Sequence, residues 1–228
     1  MKKVKVATVG LCALTMVGMG CSTKAGTGAL IGTGSGTAVG ALIGALAGNT
    51  AVGAAVGAAV GAGAGALIGK HMDKVAAETA GQVKNGKVEE VTDANGLKAV
   101  KVTFDNGILF PVGKYALQAA AKNELSKFSN VLKNNADLQV DIQGYASSDG
   151  SNEVNQVLSN NRANSVKAYL VNTCGVPSSQ SKSARGFGET NLITNADGTE
   201  NVKASRRVEV YLYASQAMID KANAGQLN

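Results

Sequence analysis

The residue types that most often carry out chemistry are few in this sequence and lie far apart. Its 228 residues include one histidine, His71, and three cysteines, Cys12, Cys21 and Cys174. A nucleophile needs a nearby base, and a metal ion needs several ligands at close spacing. Neither pattern surrounds His71 or Cys174, and no paired carboxylates stand out. The sequence therefore predicts a protein that is not an enzyme and that holds no metal or cofactor.

Cys21 is placed where covalent lipid attachment is expected. Three lysines within the first five residues precede the apolar segment 6–20, which is too short for a good membrane span. This arrangement resembles a bacterial lipoprotein signal, in which the cysteine after the cleavage site receives lipid. The resemblance implies a signal peptide over residues 1–20, lipid on Cys21 and, because Ser22 is not aspartate, the outer membrane. An ordinary cleaved signal with an incidental cysteine is the alternative.

Residues 28–70, which follow a short linker over 21–27, contain two glycine ladders of period four. The glycines are Gly28, Gly32, Gly36, Gly40, Gly44 and Gly48, then Gly53, Gly57, Gly61, Gly65 and Gly69. Period four places each set on one helix face, where small residues allow two helices to pack closely. Each ladder is about 30 Å long as a helix, close to the thickness of a bilayer core. The pattern predicts a helical hairpin that turns at Asn49-Thr50.

Three interpretations of these ladders remain open at the sequence level. The first is a glycine-zipper hairpin in the membrane, because interior glycines weaken a helix in water whereas lipid enforces helix formation. The second is a water-soluble zipper that forms homo-oligomers. The third is a flexible linker, although linkers rarely keep a strict period. The formal net charge of +6 does not call for nucleic acid, since no basic block with interleaved aromatics occurs.

The remainder of the chain has the pattern of an α+β domain. A connecting helix and a β-hairpin are expected over 71–106, because two apolar alternating runs flank a turn at 93–96. Apolar residues at helical spacing predict helices near 117–132 and 152–170, the second with Val154, Val157 and Leu158 facing inward. Strands are predicted at 138–143, 183–188 and 207–213. The expected order is β-α-β-α-β-β, with the helices on one face of the sheet.

Four segments of residues 107–214 resemble the OmpA-like peptidoglycan-binding domain. The run NQVLSNNRA at 155–163 fits the family's NxxLSxxRA helix, its most specific motif. Residues 186–189 and 205–208 fit the late GxGE and NRRV segments. Residues 144–150, GYASSDG, stand where the family has GHTDxxG. With the lipoprotein signal and the zipper, the chain is similar to outer-membrane lipoproteins that carry this domain; residues 215–228 are expected to be a tail.

The resemblance implies a site for the zwitterionic end of diaminopimelate in the peptidoglycan stem peptide. An arginine holds the carboxylate and an aspartate holds the ammonium group in such a site. Arg162 matches the family's arginine, whereas Ser147 occupies the position of its aspartate. Asp149, two residues on, either reaches the ammonium group or caps the following helix. The other expected site residues are Tyr145, Asn155, Leu158 and Arg206.

These expectations give two functional hypotheses. In the first, the protein is a non-enzymatic tether: the lipid and the zipper hairpin hold the outer membrane, while the C-terminal domain holds peptidoglycan in the periplasm. In the second, the zipper assembles into a membrane oligomer or pore, and the OmpA-like domain only localises it or binds protein partners.

Overall fold

The computed structural model describes residues 60–61, 63–93 and 95–227. The predicted signal peptide, the lipidated Cys21 and the zipper up to residue 59 lie outside the described residues. Within the described part of the chain, no helix combines the length and the apolar character needed to cross a membrane.

Five strands and six helices form the described part of the molecule, with a π-helical turn at Tyr169–Thr173 extending the fourth helix. The strands are β1 (Gly86–Thr92), β2 (Lys98–Asp105), β3 (Leu138–Gly144), β4 (Ser181–Gly186) and β5 (Arg207–Ala214). The helices are α1 (Ala64–Gln82), α2 (Asn106–Leu109), α3 (Ala119–Asn134), α4 (Asn152–Ala168), α5 (Val202–Ser205) and α6 (Gln216–Asn223).

The strands form one sheet in the order β1-β2-β5-β3-β4. Only β3 and β4 are parallel, and α4 connects them. The other neighbouring strands are antiparallel. The α+β class is confirmed, and the sequence β2-α3-β3-α4-β4-β5 has the predicted β-α-β-α-β-β order.

The core lies between the sheet and the helices, because alternate residues of each strand point to the helical side. Val208, Val210 and Leu212 of β5 are fully buried there, together with Phe128 and Leu132 of α3. The intervening β5 residues Arg207, Glu209, Tyr211 and Tyr213 point to the opposite face. They are also buried, and the tyrosines belong to a small separate cluster with Val91 and Ala99.

Helix α1 differs from the expectation that the zipper ends at residue 70. The helix runs without a break from Ala64 to Gln82, across that boundary. Ile68, Met72 and Val75 are at most 1% exposed and pack in the domain core. Their spacing of four and three residues places them on one helix face, which explains why the last turns of the glycine ladder fold with the domain.

Two further segments differ from the sequence expectation. Asn106–Leu109 is a short helix, and the first strand of the domain is β2, which lies before the expected boundary at residue 107. The expected C-terminal tail contains α6, whose Met218 and Ile219 are fully buried. The same helix contacts the segment just before α1, since the Gly61 backbone N–H donates to Asn223 Oδ1 at 2.9 Å.

Candidate functional site

The candidate site is a cavity of about 310 Å³ at one end of the sheet. Strand register explains its position: Asp105, the last residue of β2, pairs with Arg207, and Gly144, the last residue of β3, pairs with Val208. The segments that leave β2 and β3 and the segment that enters β5 therefore meet at this end. Helix α4 supplies the remaining wall of the cavity.

Two glycines allow α4 to lie directly against the strand ends. A Cβ atom at Gly144 would be 2.2 Å from the Ser159 carbonyl oxygen, and one at Gly186 would be 2.1 Å from the Asn160 backbone nitrogen. Real Cβ atoms do not approach other atoms so closely. Any side chain at these two positions would therefore displace the helix that carries Arg162.

The inward face of α4 is largely polar, which the sequence pattern did not predict. Asn155, Ser159 and Arg162 are buried on this face, beside Ala163 and Val166. The prediction that Val154 and Val157 face inward was wrong, since each is 60% exposed. Val154 lies on the rim of the cavity, as does Val112, which is 86% exposed. The polar side of the helix turns inward because it closes the site and holds the neighbouring loops.

Arg162 lies in the cavity wall and is 2% exposed. Its Nε donates to the Lys114 carbonyl oxygen at 3.0 Å, and its guanidinium carbon lies 5.5 Å from the centre of the Phe110 ring. Burial, together with the positive charge of nearby Arg206, lowers the pKa of Arg162 to about 10. The side chain is thus positioned and still cationic at neutral pH.

Two further cations line the same cavity. Arg206 follows α5, and its Nε donates to the Val202 carbonyl oxygen at 3.2 Å. Lys203 lies 3.6 Å from Asp105 Oδ2 in an ion pair, and its side chain is 81% exposed. Asp105 also accepts a hydrogen bond from the Gly107 backbone N–H at 2.7 Å. With Arg162, the cavity has three cationic side chains.

Ser147 and Asp149 lie together in the same cavity. The Ser147 Oγ donates to Asp149 Oδ2 at 3.2 Å, so the buried hydroxyl and the exposed carboxylate form one polar unit. Asn155 Nδ2 donates both to the Ser147 carbonyl oxygen at 3.0 Å and to Glu189 Oε2 at 2.9 Å. Asn155 therefore holds the loop that presents Ser147 and Asp149.

Asp149 is not the residue that caps α4. The N-cap is Ser151, whose Oγ accepts from the Val154 backbone N–H at 3.4 Å. The alternative in which Asp149 serves as a helix cap is therefore wrong. Gly150, between them, has a φ of +111°, a backbone conformation that glycine adopts readily.

Tyr145 lies beneath the cavity, outside its lining. It is 3% exposed, its hydroxyl donates to Gln143 Oε1 at 2.6 Å, and its ring stacks on Phe187. The Arg207 guanidinium lies 3.9 Å from the centre of the same ring. Tyr145 therefore supports the loop from below. The structure brings together the other predicted residues, which are Ser147, Asp149, Asn155, Leu158, Arg162 and Arg206.

Asp105 and Lys203 are site residues that the sequence pattern did not indicate. Asp105 begins the run Asp-Asn-Gly, whose residue types favour a turn, and Lys203 lies in a segment without any motif. With them, the cavity offers three cations, two carboxylates and an apolar rim. Such a lining can hold an anionic group beside an ammonium group, which is the chemistry of a zwitterionic amino acid.

Comparison with known families agrees with this geometry. Residues 109–207 match the OmpA family. The domain that contains these residues is OmpA-like. Residues 31–76 match the glycine zipper family. The zipper match extends through the first turns of α1, so part of the matched segment packs in the core of the OmpA-like domain.

Several proteins are similar to part of this chain. "Probable lipoprotein YiaD" of Escherichia coli is 31% identical over 145 residues, which is 64% of each chain. Outer membrane protein A of Serratia marcescens is 35% identical, over 46% of this chain and 30% of that protein. The chain thus spans 30% to 64% of the length of these two relatives.

The fold is also similar to a solved structure. A MotB-like protein from Desulfovibrio vulgaris superimposes with a TM-score of 0.54 and 18% identity, over 66% of this chain and 98% of that chain. At this identity the comparison concerns the fold alone.

Proposed function

We propose that the protein is a non-enzymatic tether that binds the peptidoglycan stem peptide through the zwitterionic end of diaminopimelate. The observation that carries this proposal is the shared cavity of Arg162, Arg206, Ser147 and Asp149. The match of residues 109–207 to the OmpA family supports it, since the resemblance implies an arginine and an acidic residue in these roles.

In this proposal Arg162 binds the ligand carboxylate, with Arg206 nearby. A guanidinium group can present two parallel N–H donors to a carboxylate, and partial burial strengthens that attraction. Asp149 binds the ligand ammonium group, and the Ser147 hydroxyl orients the Asp149 carboxylate through their 3.2 Å hydrogen bond. Val112 and Val154 on the rim contact the apolar chain between the two ends of the ligand. No bond is made or broken, and binding itself is the function.

The second attachment point in the proposal is the outer membrane, reached through lipid on Cys21. The relative named as a lipoprotein and the relative named as an outer membrane protein support this location. The proposed orientation places the OmpA-like domain in the periplasm, where peptidoglycan lies. A Cys21→Ser variant is expected to bind isolated peptidoglycan normally while leaving the outer-membrane fraction. Retention of that variant in the outer membrane would contradict the lipid anchor.

Co-sedimentation with purified peptidoglycan sacculi tests the binding site. The wild-type protein should co-sediment, and Arg162→Ala should weaken binding at least about tenfold, because a buried charged hydrogen bond is worth about 1.5–3 kcal/mol. Arg185→Ala is the matched control, since Arg185 is an exposed arginine on β4 away from the cavity. Equal sedimentation of the Arg162 and Arg185 variants would contradict the proposed arginine role.

A further inference from the structure

A second cavity, of about 460 Å³, lies beside the candidate site. Asp105 and Lys203 line both cavities, so their ion pair lies where the two spaces adjoin. The second cavity lies on the face of the sheet opposite the main core, where residues of β1, β2 and β5 line it together with Lys203 and Ala204 of α5. A ligand that extends past Lys203 from the first cavity therefore enters the second.

The wall formed by β1 and β2 carries an excess of positive charge. Lys87 Nζ and Lys101 Nζ lie 2.7 Å and 2.9 Å from the two oxygens of the same carboxylate, that of Glu89. Their side chains differ in exposure, 72% for Lys87 and 19% for Lys101. Two ammonium groups sharing one carboxylate leave a net positive charge that can attract a second anionic group.

The remaining charges of this cavity are balanced by internal pairs. Arg207 Nε donates to Glu209 Oε1 at 2.6 Å, and both residues are buried. Lys203 is paired with Asp105. The charge excess therefore lies at Lys87 and Lys101 and defines where an anion is expected to bind. Lys87, Glu89 and Lys101 all precede residues 109–207, so the wall is an addition to the matched OmpA segment.

We infer that this second cavity is a subsite for a further carboxylate of the peptide whose zwitterionic residue occupies the first cavity. Lys87 and Lys101 bind that carboxylate, and Glu89 competes with it for the same two ammonium groups. The Lys203–Asp105 pair lies between the subsites, where the peptide backbone crosses. This inference rests on the proposed function and adds a preference for acidic peptides over the free zwitterionic amino acid.

Calorimetric titration of the full-length lipoprotein in detergent tests the subsite with two ligands. One is free diaminopimelate, and the other is the tripeptide alanyl-γ-glutamyl-diaminopimelate, which adds a glutamate carboxylate. Lys87→Gln/Lys101→Gln is expected to weaken tripeptide binding about tenfold, in line with the loss of charged hydrogen bonds, and to leave diaminopimelate binding unchanged. Glu89→Gln is expected to tighten tripeptide binding about threefold, because it frees both lysines.

Lys122→Gln is the control for charge, since Lys122 is an exposed lysine on α3 that lines neither cavity. The single variant Lys87→Gln, at a side chain that is 72% exposed, is the safeguard if the double variant does not fold. Equal effects of the β1 and β2 variants on both ligands, or no effect on either, would overturn the subsite. Failure of the wild-type protein to bind either ligand would instead overturn the proposed function itself.

Discussion

In the proposed binding site, the two arginines Arg162 and Arg206 line the same cavity. Burial and the charge of Arg206 both lower the pKa of Arg162, so each effect opposes the cationic form of that side chain. An anionic ligand group opposes both effects, because it restores favourable interactions for the buried charge. The buried position of Arg162 beside a second cation therefore favours binding of a carboxylate.

The proposed role of Asp149 can be tested by moving its carboxylate from position 149 to position 147. Asp149→Asn should weaken binding of diaminopimelate at least about tenfold, whereas Ser147→Ala, which removes only the hydroxyl that orients the Asp149 carboxylate, should weaken it less. In the double variant Ser147→Asp/Asp149→Asn the carboxylate returns to the position that it has in the OmpA-like family, and binding should recover. Calorimetric titration measures all three variants.

One result of these substitutions would contradict the proposed role of Asp149. Full affinity in Asp149→Asn would mean that the Asp149 carboxylate does not bind the ammonium group. Asp197→Asn provides the matched control, because Asp197 is an exposed aspartate in a turn formed with Thr199, outside the cavity.

At the residue scale, the sequence predicted the motif residues better than their surroundings. Arg162 and Asn155 were identified from a run with specific spacing, and the structure brings them together with Ser147 and Asp149. Val154 was misassigned because its helix points polar residues inward, so hydrophobic periodicity gave the wrong face. Lys203 could not be found, since a single lysine carries no signal until the fold brings it to Asp105.

At the scale of elements, α4 can contact the ends of β3 and β4 because Gly144 and Gly186 have no side chains. Gly144→Ala should destabilise the protein by several kcal/mol, since a Cβ atom 2.2 Å from the Ser159 carbonyl oxygen forces backbone atoms apart. Binding should also weaken, because the displaced helix carries Arg162. Urea unfolding and calorimetric titration measure the two effects.

Gly69→Ala is the matched control for that substitution. A Cβ atom at Gly69 would have no neighbour within 4 Å, and the residue lies inside α1. Alanine there should stabilise the protein by up to about 1 kcal/mol through helix propensity. Similar unfolding midpoints for the Gly144 and Gly69 variants would contradict the close-packing argument.

Asp141 lies on the face of the sheet opposite the main core, and its buried carboxylate should make the stability of the protein depend on pH. Burial raises the pKa of Asp141, despite hydrogen bonds from Ser183 at 2.7 Å and Tyr213 at 3.2 Å. Because the folded protein holds this proton more tightly than the unfolded chain does, the contribution of Asp141 to stability decreases as pH rises from about 4 through the raised pKa.

Asp141→Asn removes this titration. The stability of the variant relative to wild type should therefore be greater at pH 7 than at pH 4, because only the wild-type protein loses stability over this range. Urea denaturation at both pH values measures the difference. A relative stability that is the same at the two pH values would show that Asp141 titrates alike in the folded and unfolded states.

The elements of the domain were largely predictable because their apolar patterns are regular. Leu125, Phe128 and Leu132 follow the helical period, and all are fully buried in α3. The segment after β2 was harder, since Asn106–Leu109 is only four residues long and its apolar residues also fit a strand. Local pattern cannot distinguish a short helix from a short strand when tertiary packing decides between them.

At the scale of the whole molecule, α1 limits the proposed membrane hairpin. Val60 already packs against the domain core, and α1 begins at Ala64. Between the predicted turn at Asn49-Thr50 and Val60 there remain the residues 51–59, which would reach about 14 Å as a helix. A bilayer core is about 30 Å thick. A hairpin with two complete membrane spans therefore does not fit, and at most its first arm has sufficient length.

The same packing predicts where the folding unit begins. Burial of Ile68, Met72 and Val75 contributes roughly 1.5–3 kcal/mol for each side chain, so their sum is comparable to the 5–15 kcal/mol stability of a typical domain. A chain truncated to 60–228 should unfold cooperatively in urea. A chain truncated to 83–228 should lose most of its stability, since it lacks α1.

A chain that begins at residue 107, where the family resemblance first suggested the domain starts, should not fold cooperatively. It lacks β2, which pairs with β5 in the middle of the sheet, as well as α1 and β1. Lys74→Ala in the 60–228 chain is the control for changes on α1 that leave the core intact, because Lys74 is exposed. Equal unfolding midpoints for the 60–228 and 107–228 chains would contradict a folding unit that includes the end of the zipper. The expected result instead makes the end of the zipper part of the OmpA-like folding unit, because Ile68, Met72 and Val75 pack in its core.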